Sequence, residues 1–160
     1  MPGSGKTCMA RTLSSKLKMK AIDGDKLIRK ITGRELQDII NEDGLEEFKR
    51  IEEEVLLTIK DENLLVSPGG SAIYYDSVMQ HFKKMGPVVY LHVSPKNLLI
   101  RLGDFSRRGI VLKPGQTIED LYRERLPLFR KYADITVNCD GSAYSKYQKD
   151  ALAKILEYTK

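Results

Sequence analysis

Near the start of the chain, Gly3-Ser4-Gly5-Lys6-Thr7 have the composition and order of a phosphate-binding loop. In such a loop successive backbone N–H groups turn inward on phosphate oxygens, and the helix that follows presents its positive end. Glycine is required because a Cβ would block that approach. In the full pattern, G-x-x-x-x-G-K-[ST], the lysine reaches the terminal phosphates and the hydroxyl residue holds Mg²⁺. Those residues are Lys6 and Thr7 here. The first glycine of the pattern would fall just before Met1, and the apolar strand that normally leads into the loop is not in the chain. We therefore expect such a strand, ending in Gly, to lie upstream. The competing reading is a glycine-rich entry to a helix, with Lys6 in solvent.

Three further clusters carry candidate chemistry. Asp23-Gly24-Asp25 follow a short apolar stretch, and side chains two apart on a strand point to the same side. Two carboxylates there repel unless a cation or substrate hydroxyls separate them, so one could hold Mg²⁺ through water and the other could take a proton from a hydroxyl. An acidic turn is the alternative. Ser67-Pro68-Gly69-Gly70-Ser71 follow a buried strand, and a Gly-Gly pair at a strand's C-terminal end lets backbone N–H groups approach a ligand. A plain turn would read the same way. Arg107, Arg108, Lys113 and Arg125 lie in or after a long loop, residues 104–116, of the kind that forms lids. Arginine suits the clamping of phosphate or carboxylate, although a solvated basic surface has the same composition. His81 and His92 have no metal-ligand spacing and read as structural.

The elements that must position these clusters alternate. Helices are expected over residues 5–18, 25–42 (one or two, broken at Thr32-Gly33), 44–60, 76–85, 95–103, 117–132 and 145–158. The helix over 44–60 has a clear apolar stripe of Leu45, Phe48, Ile51, Val55, Leu56 and Ile59. Thr117 is an N-cap with Asp120 three residues on, and Pro127 should kink or split the helix that follows. Four strands are expected at 20–23, 63–67, 87–93 and 135–138. Short strands alternating with helices imply an α/β fold with a parallel sheet covered on both faces.

The 160 residues suit a single domain. Apolar residues are 41% and charged residues 31%, a globular balance, and no apolar run nears the roughly 18 residues of a membrane span. Cys8 and Cys139 make neither a disulfide framework nor a metal set. The net charge of +5 is dispersed, without a basic tract interleaved with aromatics, which favours a small anion over nucleic acid as the ligand.

Taken together, GSGKT, IDGD at 22–25, TGRELQDIINEDGLEEFKRIEEEVL at 32–56, SPGGSAIY at 67–74, VVYLHVS at 88–94, RRGIV at 107–111 and ERLPLFRKYAD at 124–134 resemble the shikimate kinases. These are P-loop kinases of the nucleoside-monophosphate-kinase type, and the likeness covers nearly the whole chain. The resemblance implies a parallel sheet of order 2-3-1-4-5 whose first strand is missing from this chain. It implies a cytoplasmic, monomeric transferase of aromatic amino acid biosynthesis that uses ATP and Mg²⁺ to phosphorylate shikimate, with no nucleic-acid or membrane partner. By position, Gly3, Ser4, Gly5, Lys6, Thr7 and Cys8 would bind the ATP phosphates, Thr7 with Asp23 would serve Mg²⁺, and Arg101 would lie near the adenine. Asp25 would orient or deprotonate the acceptor hydroxyl, with Lys6 and Arg108 completing the catalytic set and Arg108 neutralising the phosphates from the lid. Within an acceptor region of about 25–60 and beyond, Gly69, Gly70, Lys49 and Arg125 would hold the substrate. Lys49 stands where the family has an arginine, and Ser71 stands where it has a third glycine. Both departures are on the acceptor side and motivate the alternative of another small polyol or acid acceptor. A nucleotide-binding module without turnover is the further alternative.

Overall fold

A computed structural model describes residues 1–103, 113, 115–141 and 143–160. The chain divides into two compact units, Ala10–Met85 and Met1–Met9 with Gly86–Lys160. Helix α1 (Lys6–Leu17) has residues in both.

In the Ala10–Met85 unit, β1 (Lys20–Asp23) and β2 (Leu64–Ser67) pair in parallel, with Lys20 opposite Leu64 and Asp23 opposite Ser67. Each is preceded by a left-handed residue, Lys18 (φ 54°) and Asn63 (φ 56°), which turns the chain into the strand. The crossover between them contains α2 (Gly24–Thr32), α3 (Leu36–Asp43) and α4 (Leu45–Leu57). Asp23 ends β1 and caps α2, accepting a hydrogen bond from the Lys26 N–H at 3.2 Å. This corrects the strand-period reading of Asp23 and Asp25: the capping bond turns the backbone helical at Gly24, so Asp25 lies on α2 and not two residues along β1. Ile28 of α2 and Ile39 of α3 bury against Phe48 and Val55 of α4. Leu56 and Ile59 form a second cluster with Ala72 and Val78. A 3₁₀ turn (Ala72–Tyr74), absent from the sequence expectations, leads into α5 (Asp76–Met85), where His81 Nε2 lies 2.6 Å from the Ile59 carbonyl in a structural bond.

In the other unit, β3 (Val89–His92) and β4 (Ile135–Asn138) pair in parallel, with Val89 opposite Ile135 and His92 opposite Asn138. Among the described residues the four strands thus make two ladders, β1-β2 and β3-β4. Two aspartates pin the second ladder. Asp134 accepts from the Val88 N–H (2.9 Å) at its start. Past its end, Asp140 Oδ1 accepts from the Ser94 N–H (2.8 Å) and Asn97 Nδ2 (2.7 Å), tying the end of β4 to the first turn of α6 (Pro95–Leu102). Ser94 is the N-cap of that helix and Pro95 its first residue, a placement where a missing N–H costs nothing. Helix α7 (Ile118–Tyr132) opens on the expected capping box of Thr117 and Asp120 and continues unbroken through Pro127. Proline there removes one donor, and the buried Leu121, Tyr122 and Arg125 on one side and Tyr132 on the other keep both halves packed. Helix α8 (Tyr144–Tyr158) closes the chain. Cys8 and Cys139 are both free, and burial pushes the Cys139 thiol up to about 11. No helix among the described residues is long and apolar enough to cross a membrane.

Burial alone would raise the Asp140 carboxyl, but the hydrogen bonds from Asn97 and Ser94 outweigh it and hold the group below the usual carboxylate range. A depressed folded-state value means the stabilisation is present above the unfolded carboxylate pKa and is lost as pH falls through the folded one. Melting temperatures of the wild type and Asp140→Asn, measured from neutral pH downward, should therefore converge as Asp140 protonates. A gap that stays constant with pH would contradict this role.

Candidate active site

The phosphate-side residues belong to the unit that begins at Met1. Gly3 (φ 72°) and Gly5 (φ 89°) are both left-handed, so the loop demands glycine on backbone grounds. A Cβ on Gly3 would also meet Leu102 Cδ2 at 2.9 Å, whereas one on Gly5 would meet nothing within 4 Å, leaving open space above that residue. Helix α1 begins at Lys6, and its first bond runs from the Met9 N–H to the Gly5 carbonyl (2.9 Å). The leading N–H groups of α1 therefore end at the loop. Lys6 Nζ and Ser4 Oγ both donate to the Met1 carbonyl, at 2.9 and 2.8 Å, which folds the lysine back over the loop. Arg125 of α7 is buried in the same unit as the loop.

Arg101, on the last turn of α6, donates to the Cys139 carbonyl at the end of β4, and its guanidinium stands 5.9 Å from the Tyr147 ring centre. Tyr147 packs edge-on to Tyr144, 5.1 Å away. This fixed guanidinium with its aromatic neighbour offers a flat surface of the kind a base stacks on. The two tyrosines stand three residues apart at the start of α8. His92 at the end of β3 bonds Tyr122 (3.1 Å) and stands 4.0 Å from Asp140, a structural arrangement. Arg108 and Arg107 lie outside the described residues, as does most of the expected lid. Lys113, which is described, is exposed and faces Glu124 at 3.5 Å.

The acceptor-side residues belong to the Ala10–Met85 unit. Because Asp23 and Ser67 are level at the ends of β1 and β2, Gly24-Asp25 and Pro68-Gly69 leave the ladder side by side. A Cβ on Gly24 would lie 3.1 Å from Pro68 Cα and 3.2 Å from Leu56 Cδ2. A Cβ on Gly69 would lie 2.7 Å from Glu52 Oε1 and 2.9 Å from Asp25 Oδ1. Two carboxylate oxygens thus share the space beside Gly69, no farther apart than the sum of those distances. Glu52 is only 1% exposed. Ser71 Oγ lies 2.8 and 2.6 Å from its two oxygens, and the Tyr75 hydroxyl donates to Oε2 at 2.8 Å. Burial first, then the Glu52 charge, raises the Tyr75 phenol, which keeps it protonated as a donor. Glu52 was missed in the sequence, yet it had a signal: it is an acid at four residues from both Phe48 and Leu56 on the buried stripe of α4. Lys49 is half-exposed, and its Nζ bonds Glu46 at 2.6 Å. Gly70 follows Gly69 in the turn that ends with the Ala72 N–H bonded to the Gly69 carbonyl (3.3 Å).

The loop fits a chain of phosphates, offering backbone donors, Lys6 and open space at Gly5. Thr7 follows Lys6 in the first turn of α1, and among the described residues no group of three His, Cys, Asp or Glu is clustered to hold a metal.

The family model described as "Shikimate kinase" matches residues 2–158. The chain belongs to the shikimate kinase family. It is 34% identical over 154 residues to the shikimate kinase of Sulfurihydrogenibium sp., covering 96% of this chain and 92% of that one. Among solved structures, the shikimate kinase of Acinetobacter baumannii in complex with shikimate superposes with a TM-score of 0.87 at 30% identity, covering 97% of this chain and 88% of that one. The shikimate kinase of Aquifex aeolicus gives 0.84 at 27% identity, covering 98% and 92%. The parallel α/β architecture of this shikimate kinase family member is that of the solved P-loop kinases.

The two glycines at the strand ends should respond differently to a methyl group. In Gly24→Ala the methyl meets backbone and a fully buried leucine, so stability should fall by about 1–3 kcal/mol. In Gly69→Ala it meets side-chain carboxylate ends and no backbone, so the melting temperature should move less than in Gly24→Ala. Displacing those carboxylates should nonetheless cut phosphoryl transfer by on the order of 10²-fold. A Gly69→Ala enzyme with wild-type turnover would show that the flanking carboxylates need not hold their positions.

Proposed function

We propose that the protein is an ATP-dependent shikimate kinase, transferring the γ-phosphoryl group of ATP to the 3-hydroxyl of shikimate. The observation that carries this reading is the position of Asp25, at the head of α2 beside the Gly69 backbone, in a family member that resembles a shikimate-bound enzyme at 30% identity. The acceptor oxygen attacks the γ-phosphorus, the bond to the bridging β,γ-oxygen breaks, ADP departs, and the hydroxyl proton passes to Asp25. Such transfer depends on positioning and charge stabilisation more than on covalent participation by the protein. Gly3 to Cys8 hold the phosphates, Lys6 and Arg108 neutralise charge on the transferred group, and Arg101 with Tyr147 supports the adenine. Gly69, Gly70, Lys49 and Arg125 are assigned to acceptor binding, Arg125 to its carboxylate. Thr7 and Asp23 would hold Mg²⁺, which when bound would supply charge neutralisation of the phosphates. In this reading both units serve one kinase domain, which works as a cytoplasmic monomer on a small molecule, without nucleic-acid or membrane partners.

A second reading, a kinase for another small polyol or hydroxy acid, is favoured by one observation: the Lys49 ammonium is engaged by Glu46 on the surface of α4. Lysine there also lacks the planar fork with which arginine grips a carboxylate. ADP release measured with shikimate, gluconate and nucleoside monophosphates separates the two. Shikimate-dependent release supports the first, release with another acceptor alone supports the second, and nucleotide binding without release from any acceptor points to a module without turnover. Asp25→Asn should lower turnover by on the order of 10²-fold or more while leaving nucleotide affinity in place. Unchanged turnover would remove Asp25 from its assigned role.

A further inference from the structure

Ser71 is the residue that most changes the acceptor side, because it adds a hydroxyl beside two flanking carboxylates. Its oxygen lies within hydrogen-bond distance of both oxygens of Glu52, and Tyr75, four residues on, donates to the same carboxylate. Both donors belong to the short segment that continues from Gly69 through the 3₁₀ turn Ala72–Tyr74. Glu52 belongs to α4, and its Oε1 and the Asp25 Oδ1 both lie within 3 Å of where a Gly69 Cβ would stand. A buried carboxylate is held in one orientation only when its lone pairs are met by donors. The Ser71 and Tyr75 hydroxyls do this, and in doing so they tie the Gly69–Ser71 backbone to α4. Ser71 accordingly does not project its hydroxyl as a free group; it is directed at Glu52.

We infer that Ser71, assisted by Tyr75, is a positioning residue that sets acceptor affinity by fixing Glu52, and through it the Gly69 backbone, beside Asp25. This rests on the reading of the site as a kinase acceptor pocket. The arrangement also states what kind of acceptor it favours. Two carboxylates at this wall accept hydrogen bonds and repel anions, so the acceptor presents hydroxyls here and directs its own acidic group elsewhere. A hydrogen bond to a charged partner corresponds to a tenfold effect or more when one side is removed.

The test is steady-state kinetics on the full chain, with shikimate and ATP varied separately, for the wild type, Ser71→Ala and Tyr75→Phe. The inference expects the KM for shikimate to rise about ten-fold in Ser71→Ala and by a smaller factor in Tyr75→Phe. The change in KM should exceed that in kcat, and the KM for ATP should stay at its wild-type value. Calorimetric titration with shikimate should show the same loss of affinity. An unchanged shikimate KM in both variants overturns it, as does a parallel rise in both KM values, which would mark a general structural defect. Should Ser71→Ala fail to fold, Tyr75→Phe decides alone by the same criteria. A wild-type protein with no shikimate-dependent ADP release rejects the kinase reading itself, whereas an active wild type with unaffected variants rejects only the role of Ser71.

Discussion

Parallel pairing brings Asp23 and Ser67 level at the ends of β1 and β2, so two chain segments leave the ladder beside each other. Only residues without a Cβ allow them to run so close. Gly24 lies against Pro68 Cα and Leu56, and the Asp25 and Glu52 carboxylates both reach the space a Cβ on Gly69 would fill. The capping bond from Asp23 to the Lys26 N–H then fixes where α2 starts, which fixes where Asp25 points its carboxylate. Strand register, helix cap and the two glycines thus form one continuous constraint. It runs from the backbone to the group proposed to take the proton in transfer. The buried Glu52, with its hydroxyl donors, braces the same segment from α4.

The elements themselves were largely legible. β1 and β4 occupy the expected residues, 20–23 and 135–138, and α4 buries Phe48, Val55 and Leu56 from its apolar stripe. What was not legible had local physical causes. The strand period suggested that Asp23 and Asp25 share a side, but an Asp that caps a helix ends the strand at itself, and the period changes at the next residue. Pro127 looked like a break, yet a proline removes one bond from a helix whose buried residues hold both halves. Glu52 was hidden because a single acid within an apolar stripe reads as noise until the donors facing it, Ser71 and Tyr75, are placed some twenty residues away. The phosphate loop could be read from five residues because its requirement is backbone geometry, and Gly3 and Gly5 carry the left-handed angles that the motif demands.

Charge is distributed in a way that agrees with a small anionic ligand. Many basic side chains are engaged locally on the surface: Arg34 with Glu42 and Asp43, Arg50 with Glu47 and Glu54, Lys49 with Glu46. Exposed pairs of this kind contribute about 0–1 kcal/mol each and leave no continuous positive face from these residues. Arg50 in particular is held at the α4 surface by its two glutamates. The cations of the candidate site are different in kind. Lys6 is folded over the loop and Arg125 is buried on α7.

The central claim is that an acceptor hydroxyl meets the Asp25 carboxylate beside the Gly69 backbone. The most direct measurement is a crystal structure of the protein grown with saturating shikimate. The account predicts density for one shikimate with a hydroxyl within hydrogen-bond distance of an Asp25 oxygen and its ring against the Gly69-Gly70 backbone. Shikimate bound away from Asp25, or none at saturating concentration, would contradict it.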